Sequence, residues 1–170
     1  EDKSLAEELL ADEKEVAEQR MLVDLGRNDI GKIAQNNSVE VTKYMEVEYF
    51  RYVMHLTSVV RGQLLPQLTA MDALKSTLPA GTVSGAPKIR AMNRIYELEQ
   101  EKRGVYAGAI GYLSATGDMD FAITIRTMVL KNGRAYVQAG AGIVYDSIPT
   151  NEYQETINKA KSMTKIGEMQ

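Results

Sequence analysis

Glu15 and Glu18 stand three residues apart in a stretch with helical periodicity, so both carboxylates project from one helix face. Such a pair can hold a hard cation or a proton. Eight of the first twenty residues are Asp or Glu, however, and on spacing alone a solvated acidic face accounts for the pair. His55 is the only imidazole and falls mid-strand in a mostly apolar run. A partly buried structural histidine is the commoner arrangement there, but acid–base chemistry near neutral pH would have only this residue to use. The loop Ala80-Gly81-Thr82-Val83-Ser84-Gly85-Ala86-Pro87-Lys88 leads into a helix, where backbone N–H groups favour an anion and Thr82, Ser84 and Lys88 could add donors. It lacks the Gly-Lys-Ser/Thr of a Walker A loop, which argues against ATP or GTP; an ordinary connection would read the same way. Gly140-Ala141-Gly142 closes a strand, with Arg126 midway along the preceding one. Glycines at a strand end let a ligand approach the backbone or mark a bulge. An arginine inside an apolar strand needs an anionic partner, most naturally a carboxylate. Together these residues suit a pocket for a small carboxylate, with a divalent metal on oxygen ligands.

Composition narrows the field further. The chain has 170 residues, 25% charged and 44% hydrophobic, proportions that build one globular domain with its own core. No cysteine is present, which excludes disulfides, thiolate metal sites and a thiol nucleophile. A net charge of -3 without any Lys/Arg run argues against a nucleic-acid partner. No apolar run approaches the ~20 residues of a membrane span. The acidic start EDKSLAEELL lacks the features of a signal peptide, so a cytoplasmic protein is expected.

The elements that must position these residues follow from pattern. A helix is expected from about Leu5 to Met21, opened by a Ser4/Glu7 capping box. It should dissolve in MLVDLGRNDIGKIAQNNS, where Gly26, Asn28, Asp29 and Gly31 are turn chemistry. Residues 39–48 and 52–63 read as strands, with Val53, His55, Thr57 and Val59 on one face of the second. A short helix spans Met71–Ser76, and Pro87 suits the first position of the helix in PKIRAMNRIYELEQ. From Gly104 to Gly142 the chain reads as three strands joined by turns at Thr116-Gly117-Asp118 and Asn132-Gly133. A last helix runs over about 151–165, with Glu155 and Lys159 four apart. The fold class is α+β, an antiparallel sheet with packed helices.

Several long strings tie these segments together. DEKEVAEQRMLVDLGRNDIG, VMHLTSVVRGQL, PAGTVSGAPKIRAM, RGVYAGAIGYLS, DFAITIRT and QAGAGIVYDSIPTNEYQET follow one another in order over nearly the whole chain. They resemble the C-terminal part of the chorismate-utilising enzymes, most of all the anthranilate synthase component I branch, with the aminodeoxychorismate synthases as nearest alternative. MLVDLGRND and His55 in VMHLTS favour the former.

The resemblance implies an activity and a set of roles. The family reaction adds ammonia to chorismate as a hydroxyl leaves and then eliminates pyruvate to give anthranilate. The ammonia comes from a glutamine amidotransferase subunit. Glu18 and Glu155 are similar to the carboxylates that bind Mg²⁺, with Glu15 beside them and Lys159 balancing charge. Tyr106 and Arg126 resemble the residues that hold the enolpyruvyl carboxylate, with N–H groups from Gly140 and Gly142. Thr82 resembles a contact to the ring carboxylate, and His55 the histidine of the pyruvate-eliminating step.

Departures from the family pattern carry equal information. Family members are about three times as long as a chain of this size, and the glutamate thought to protonate the leaving hydroxyl lies in their upstream part. The implied reading is a subdomain that holds most substrate contacts but lacks that acid, and an N-terminal portion of the parent enzyme is its expected partner. A non-catalytic Mg²⁺/chorismate-binding module, or an assembly piece whose sheet packs on the rest of the parent, are the readings from other classes. Gln19 stands where many members carry His, and Asn93 where many carry Glu; both positions look peripheral.

Overall fold

A computed structural model describes residues 2–49 and 54–164. Tyr52 and Val53 of the expected second strand and Lys165 of the last helix lie outside the described residues. The chain folds as two compact units, Glu1–Thr77 and Leu78–Gln170. The class is the expected α+β, and among the described residues the strands form three two-stranded antiparallel sheets. No described helix is long and apolar enough to cross a membrane.

In the first unit, the helix expected from Leu5 to Met21 is two helices, α1 (Asp2–Ala11) and α2 (Glu13–Gly31). The break falls at Asp12, whose side chain accepts hydrogen bonds from the backbone N–H of Lys14 (2.9 Å) and Glu15 (3.1 Å). An aspartate in extended geometry that satisfies these orphan donors starts a new helix. The expectation that helix would give way to turn after Met21 is overturned: α2 continues to Gly31. Tertiary packing outweighs the local cost of about 1 kcal/mol for a mid-helix glycine. Val23 and Asp29 are buried, and Gly26 faces Val60 on β2, where even a Cβ would make only an ordinary van der Waals contact with Val60 Cγ2 at 3.4 Å. Asp29 accepts from Lys32 Nζ (2.9 Å), and its carbonyl accepts from Ser76 Oγ (2.7 Å) on α3 (Ala70–Thr77).

Strands β1 (Glu40–Tyr49) and β2 (Met54–Arg61) pair antiparallel from Glu40↔Arg61 to Tyr49↔Met54, with register shifts between Val41 and Glu46. Met45 sits in this irregular stretch at φ +53°, and its N–H donates to Ser58 Oγ at 3.0 Å. Gln19 Nε2 donates to the same oxygen, also at 3.0 Å. One hydroxyl on β2 therefore ties the bulge to α2.

The second unit opens with a one-turn helix, α4 (Gly81–Ser84), in the segment expected to carry no regular element. Pro87 is the cap residue of α5 (Lys88–Leu98), so the helix begins one position after the expected start. The helix stops at Glu99, whose carboxylate accepts from Arg103 Nε (2.8 Å) and Nη2 (2.5 Å). The next segment forms four strands where three were expected. β3 (Ala109–Leu113) pairs with β4 (Met119–Ile123), and β5 (Met128–Lys131) with β6 (Arg134–Val137). Asn132 and Gly133 both take positive φ, +52° and +70°, as a two-residue turn of this sequence requires. The expected middle strand breaks between Ile123 and Met128. There Ile125 N–H turns back to the Ile123 carbonyl (2.8 Å) and Arg126 adopts φ +51°. The last helix, α6, spans Pro149–Thr164.

Burial is thin in both units. Ala6, Val23, Ile33 and Ala34 are the buried apolar residues of the first, and Ala107 and Met163 those of the second, among the described residues. Large apolar side chains stand in water instead: Tyr96 is 88% exposed, Leu130 75% and Ile143 73%.

Two stability outcomes follow. Ser58→Ala removes the acceptor shared by Met45 and Gln19 and should cost about 1–2 kcal/mol, read as a lower urea midpoint at unchanged slope; an unmoved midpoint would contradict the link. The Glu99 carboxyl is held below its ordinary value of 4.5, chiefly by the hydrogen bond from Arg103; partial burial opposes this, and the guanidinium charge adds a smaller lowering effect. A depressed folded value means that this contribution is full above the ordinary carboxylate range and is lost as pH falls through the lowered value. The stability gap between the wild type and Glu99→Gln should therefore shrink between about pH 7 and about pH 3; a gap independent of pH would count against the pair.

Candidate functional site

The second unit gathers several of the residues singled out in the sequence. Arg103 begins the arrangement. Its Nη1 donates to the carbonyl of Val83 at 2.6 Å, which fixes the α4 turn that carries Thr82. Its guanidinium carbon lies 5.6 Å from the centre of the Tyr106 ring, within cation–π range. A tight turn delivers that ring: Tyr106 N–H donates to the Arg103 carbonyl at 2.9 Å, and Ala107 follows at φ +65°. Ala107 is buried, and its N–H donates to the Thr124 carbonyl (3.0 Å), so the strained residue is locked by the ladder of the β3–β4 pair.

The other end of Tyr106 reaches Gly140. A Cβ placed on Gly140 would lie 3.0 Å from the Tyr106 hydroxyl oxygen, closer than most side chains tolerate. Glycine is what admits the phenol here. The Gly140 carbonyl accepts from Lys159 Nζ at 3.3 Å, and Lys159 also pairs with Glu155 one helical turn earlier. A connected path therefore runs from the α4 turn through Arg103, Tyr106, Gly140 and Lys159 to Glu155. It brings together cationic, hydroxyl and carboxylate groups, a set suited to an anionic ligand with a hard cation beside it.

Gly142 lies two residues beyond Gly140, and past it opens a cleft of about 340 Å³ whose walls include Ile143, Val144, Ser147, Pro149 and Glu152. Glu152 is only 5% exposed. Sequence reasoning passed over it, although its spacing of three from Glu155 repeats that of Glu15 and Glu18. Arg103 was missed as well. Its signal was the i,i+4 spacing from Glu99 across a helix end, three residues ahead of Tyr106.

Arg126 departs from its expected setting. It is exposed at a strand break instead of lying mid-strand, and no carboxylate among the described residues pairs with it.

The remaining candidates belong to the first unit. Glu15 is exposed in the first turn of α2, and Glu18 lies half-buried one turn later. His55 lies on β2, exposed and opposite Glu48 in register, where its apolar neighbours suggested partial burial. Among the described residues no group of three or more His, Cys, Asp or Glu side chains is placed to hold a metal ion.

Comparison with known proteins places the chain in a family. A family described as chorismate binding enzyme matches residues 1–165. The anthranilate synthase component 1 of Lactococcus lactis is 66% identical over 168 residues, which cover 99% of this chain and 37% of that protein. The crystal structure of anthranilate synthase component I from Streptococcus pneumoniae superposes with a TM-score of 0.91 at 85% identity, over 96% of this chain and 38% of that one. The menaquinone-specific isochorismate synthase MenF of Escherichia coli shares the fold at 30% identity, with a TM-score of 0.84 over 95% of this chain and 37% of that one. The chain thus spans little more than a third of the length of these relatives. With the family model matched over nearly its full length and the fold shared with solved members, the chain belongs to the chorismate binding enzyme family.

Proposed function

We propose that this chain forms the C-terminal part of an anthranilate synthase component I, which converts chorismate and ammonia to anthranilate and pyruvate. The observation that carries this reading is the connected path from the α4 turn through Tyr106 and Gly140 to Lys159 and Glu155. Chorismate is a dianion with one carboxylate on its ring and one on its enolpyruvyl side chain, and a site for it needs separate anchors for each.

Arg126 and Tyr106 are assigned to the enolpyruvyl carboxylate, with N–H groups from Gly140 and Gly142. Thr82 is assigned to the ring carboxylate. Fixing both ends of the substrate lowers the entropic part of the barrier, and cationic and N–H donors are worth more where water is excluded. His55 is assigned to the pyruvate-eliminating step, where it takes a ring proton as the product becomes aromatic. Glu18 and Glu155 are the carboxylates assigned to Mg²⁺, with Glu15 close to the former and Lys159 tempering the charge of the latter. Their donors are carboxylate oxygens only, the chemistry that a hard divalent cation accepts. When bound, Mg²⁺ would supply a Lewis-acid anchor for the ring carboxylate.

The rest of the parent enzyme completes the reading. Apolar side chains such as Tyr96, Leu130 and Ile143 stand in water on the second unit, and the relatives carry nearly two thirds of their length outside the matched region. We assign that N-terminal portion to cover these faces and to supply the acid for the departing hydroxyl. Ammonia would come from a glutamine amidotransferase subunit, and the setting would be cytoplasmic.

Three outcomes are expected. The complete protein, given chorismate, Mg²⁺ and an ammonium salt, should yield anthranilate and pyruvate in equal amounts; aminodeoxychorismate or isochorismate would move it to a sibling activity, and no product would overturn the reading. Gly140→Ala in that protein should raise KM for chorismate about tenfold or more by displacing the Tyr106 hydroxyl, whereas an unchanged KM would remove Tyr106 from the site. The 170-residue chain by itself should give no anthranilate and should self-associate as its concentration rises; a monomer at every concentration would contradict the covered faces.

A further inference from the structure

Arg103 makes more contacts than a helix-end ion pair requires. Glu99 alone would be satisfied by the forked donation from Nε (2.8 Å) and Nη2 (2.5 Å). The same planar group also donates from Nη1 to the Val83 carbonyl, twenty residues earlier in the chain, at 2.6 Å. Its face meanwhile lies over the Tyr106 ring at 5.6 Å. Only a guanidinium can do all three at once, because its donors are fixed in a plane and its face is free to stack. A lysine at this position would be a point charge that satisfies one partner at a time.

We propose that Arg103 is a positioning residue that holds the α4 turn and the Tyr106 ring in a single arrangement, so that Thr82 and Tyr106 meet the substrate as a preformed pair. This inference rests on the assignment of Thr82 and Tyr106 to chorismate made above. Thr82 is exposed on a one-turn helix, which has little stability of its own and keeps its place only through what binds it. Its neighbour Val83 is bound by Arg103, and Ser84 Oγ donates to the Ala80 carbonyl at 2.8 Å. Tyr106 gains the cation above its ring and the turn hydrogen bond to the Arg103 carbonyl. Glu99 in turn keeps the guanidinium from swinging away, because its two oxygens hold the edge opposite the one that reaches Val83. Substrate binding then need not pay to order the turn and the ring separately. The residue touches no substrate atom; it acts through Val83 and Tyr106.

The test uses the complete enzyme with chorismate, Mg²⁺ and ammonium, comparing the wild type with Arg103→Ala, Arg103→Lys and Glu99→Gln. KM for chorismate should rise tenfold or more in Arg103→Ala while kcat changes less than threefold. Arg103→Lys should recover only part of the loss, and Glu99→Gln should show a smaller rise in KM. A purely structural arginine would instead lower the melting temperature and the active fraction, and so kcat, with KM within twofold of wild type; that result overturns the proposal. If Arg103→Ala does not fold, Arg103→Lys decides on the same split between KM and kcat. A wild-type enzyme that fails to turn chorismate over would overturn the functional reading itself, and this inference with it. Variants that match an active wild type would overturn this inference alone.

Discussion

Tyr106 is gripped at both ends, and much of the second unit is arranged around that grip. Arg103 lies over the ring, while the hydroxyl end reaches a backbone position where even a methyl group would crowd it. The turn that makes this possible places Ala107, a buried non-glycine residue, at positive φ. Such a conformation costs about 1–2 kcal/mol and persists because the Thr124 carbonyl and the β3–β4 ladder hold it. Disturbing any of these would move the phenol relative to Gly140, Lys159 and Glu155. The geometry of the site is therefore set by backbone constraints on one short segment, Arg103–Ala107.

Thin burial leaves polar contacts a larger share of the structure's support. Neither unit buries a large side chain completely among the described residues, so hydrophobic burial contributes less than a chain of this length would ordinarily gain. Polar links fill some of the gap: Ser58 to Gln19 and Met45, Asp29 to Lys32 and Ser76, and Arg103 to Glu99 and Val83. Relatives of nearly three times the length have chain to lay over the apolar faces that stand open here.

Local chemistry was legible in the sequence wherever it decides structure by itself. Asn132-Gly133 requires positive φ at both positions and turns where expected. Pro87 caps a helix, and strands form over Glu40–Tyr49 and, through His55, over Met54–Arg61, in the two stretches expected to be strands. Legibility failed where packing outvotes propensity. Gly26, Asn28 and Asp29 look like turn residues, yet they remain helical because Val60 and Ser76 press close to that helix. Arg126 sits in an apolar run that looks like a continuous strand, and nothing local in the sequence announces the break between Ile123 and Met128. The site residues themselves came from resemblance rather than spacing. Arg103 escaped both routes, since its importance lies in joining Val83, Glu99 and Tyr106, which are close only after folding.

The central claim is that Arg126 and Tyr106 receive one carboxylate of chorismate beside Gly140. A crystal structure of the complete enzyme with chorismate and Mg²⁺ tests it most directly. The account predicts the enolpyruvyl carboxylate within about 3 Å of the Tyr106 hydroxyl and the Arg126 guanidinium. Chorismate seated elsewhere, with Tyr106 and Arg126 both left without contact to it, would contradict the account.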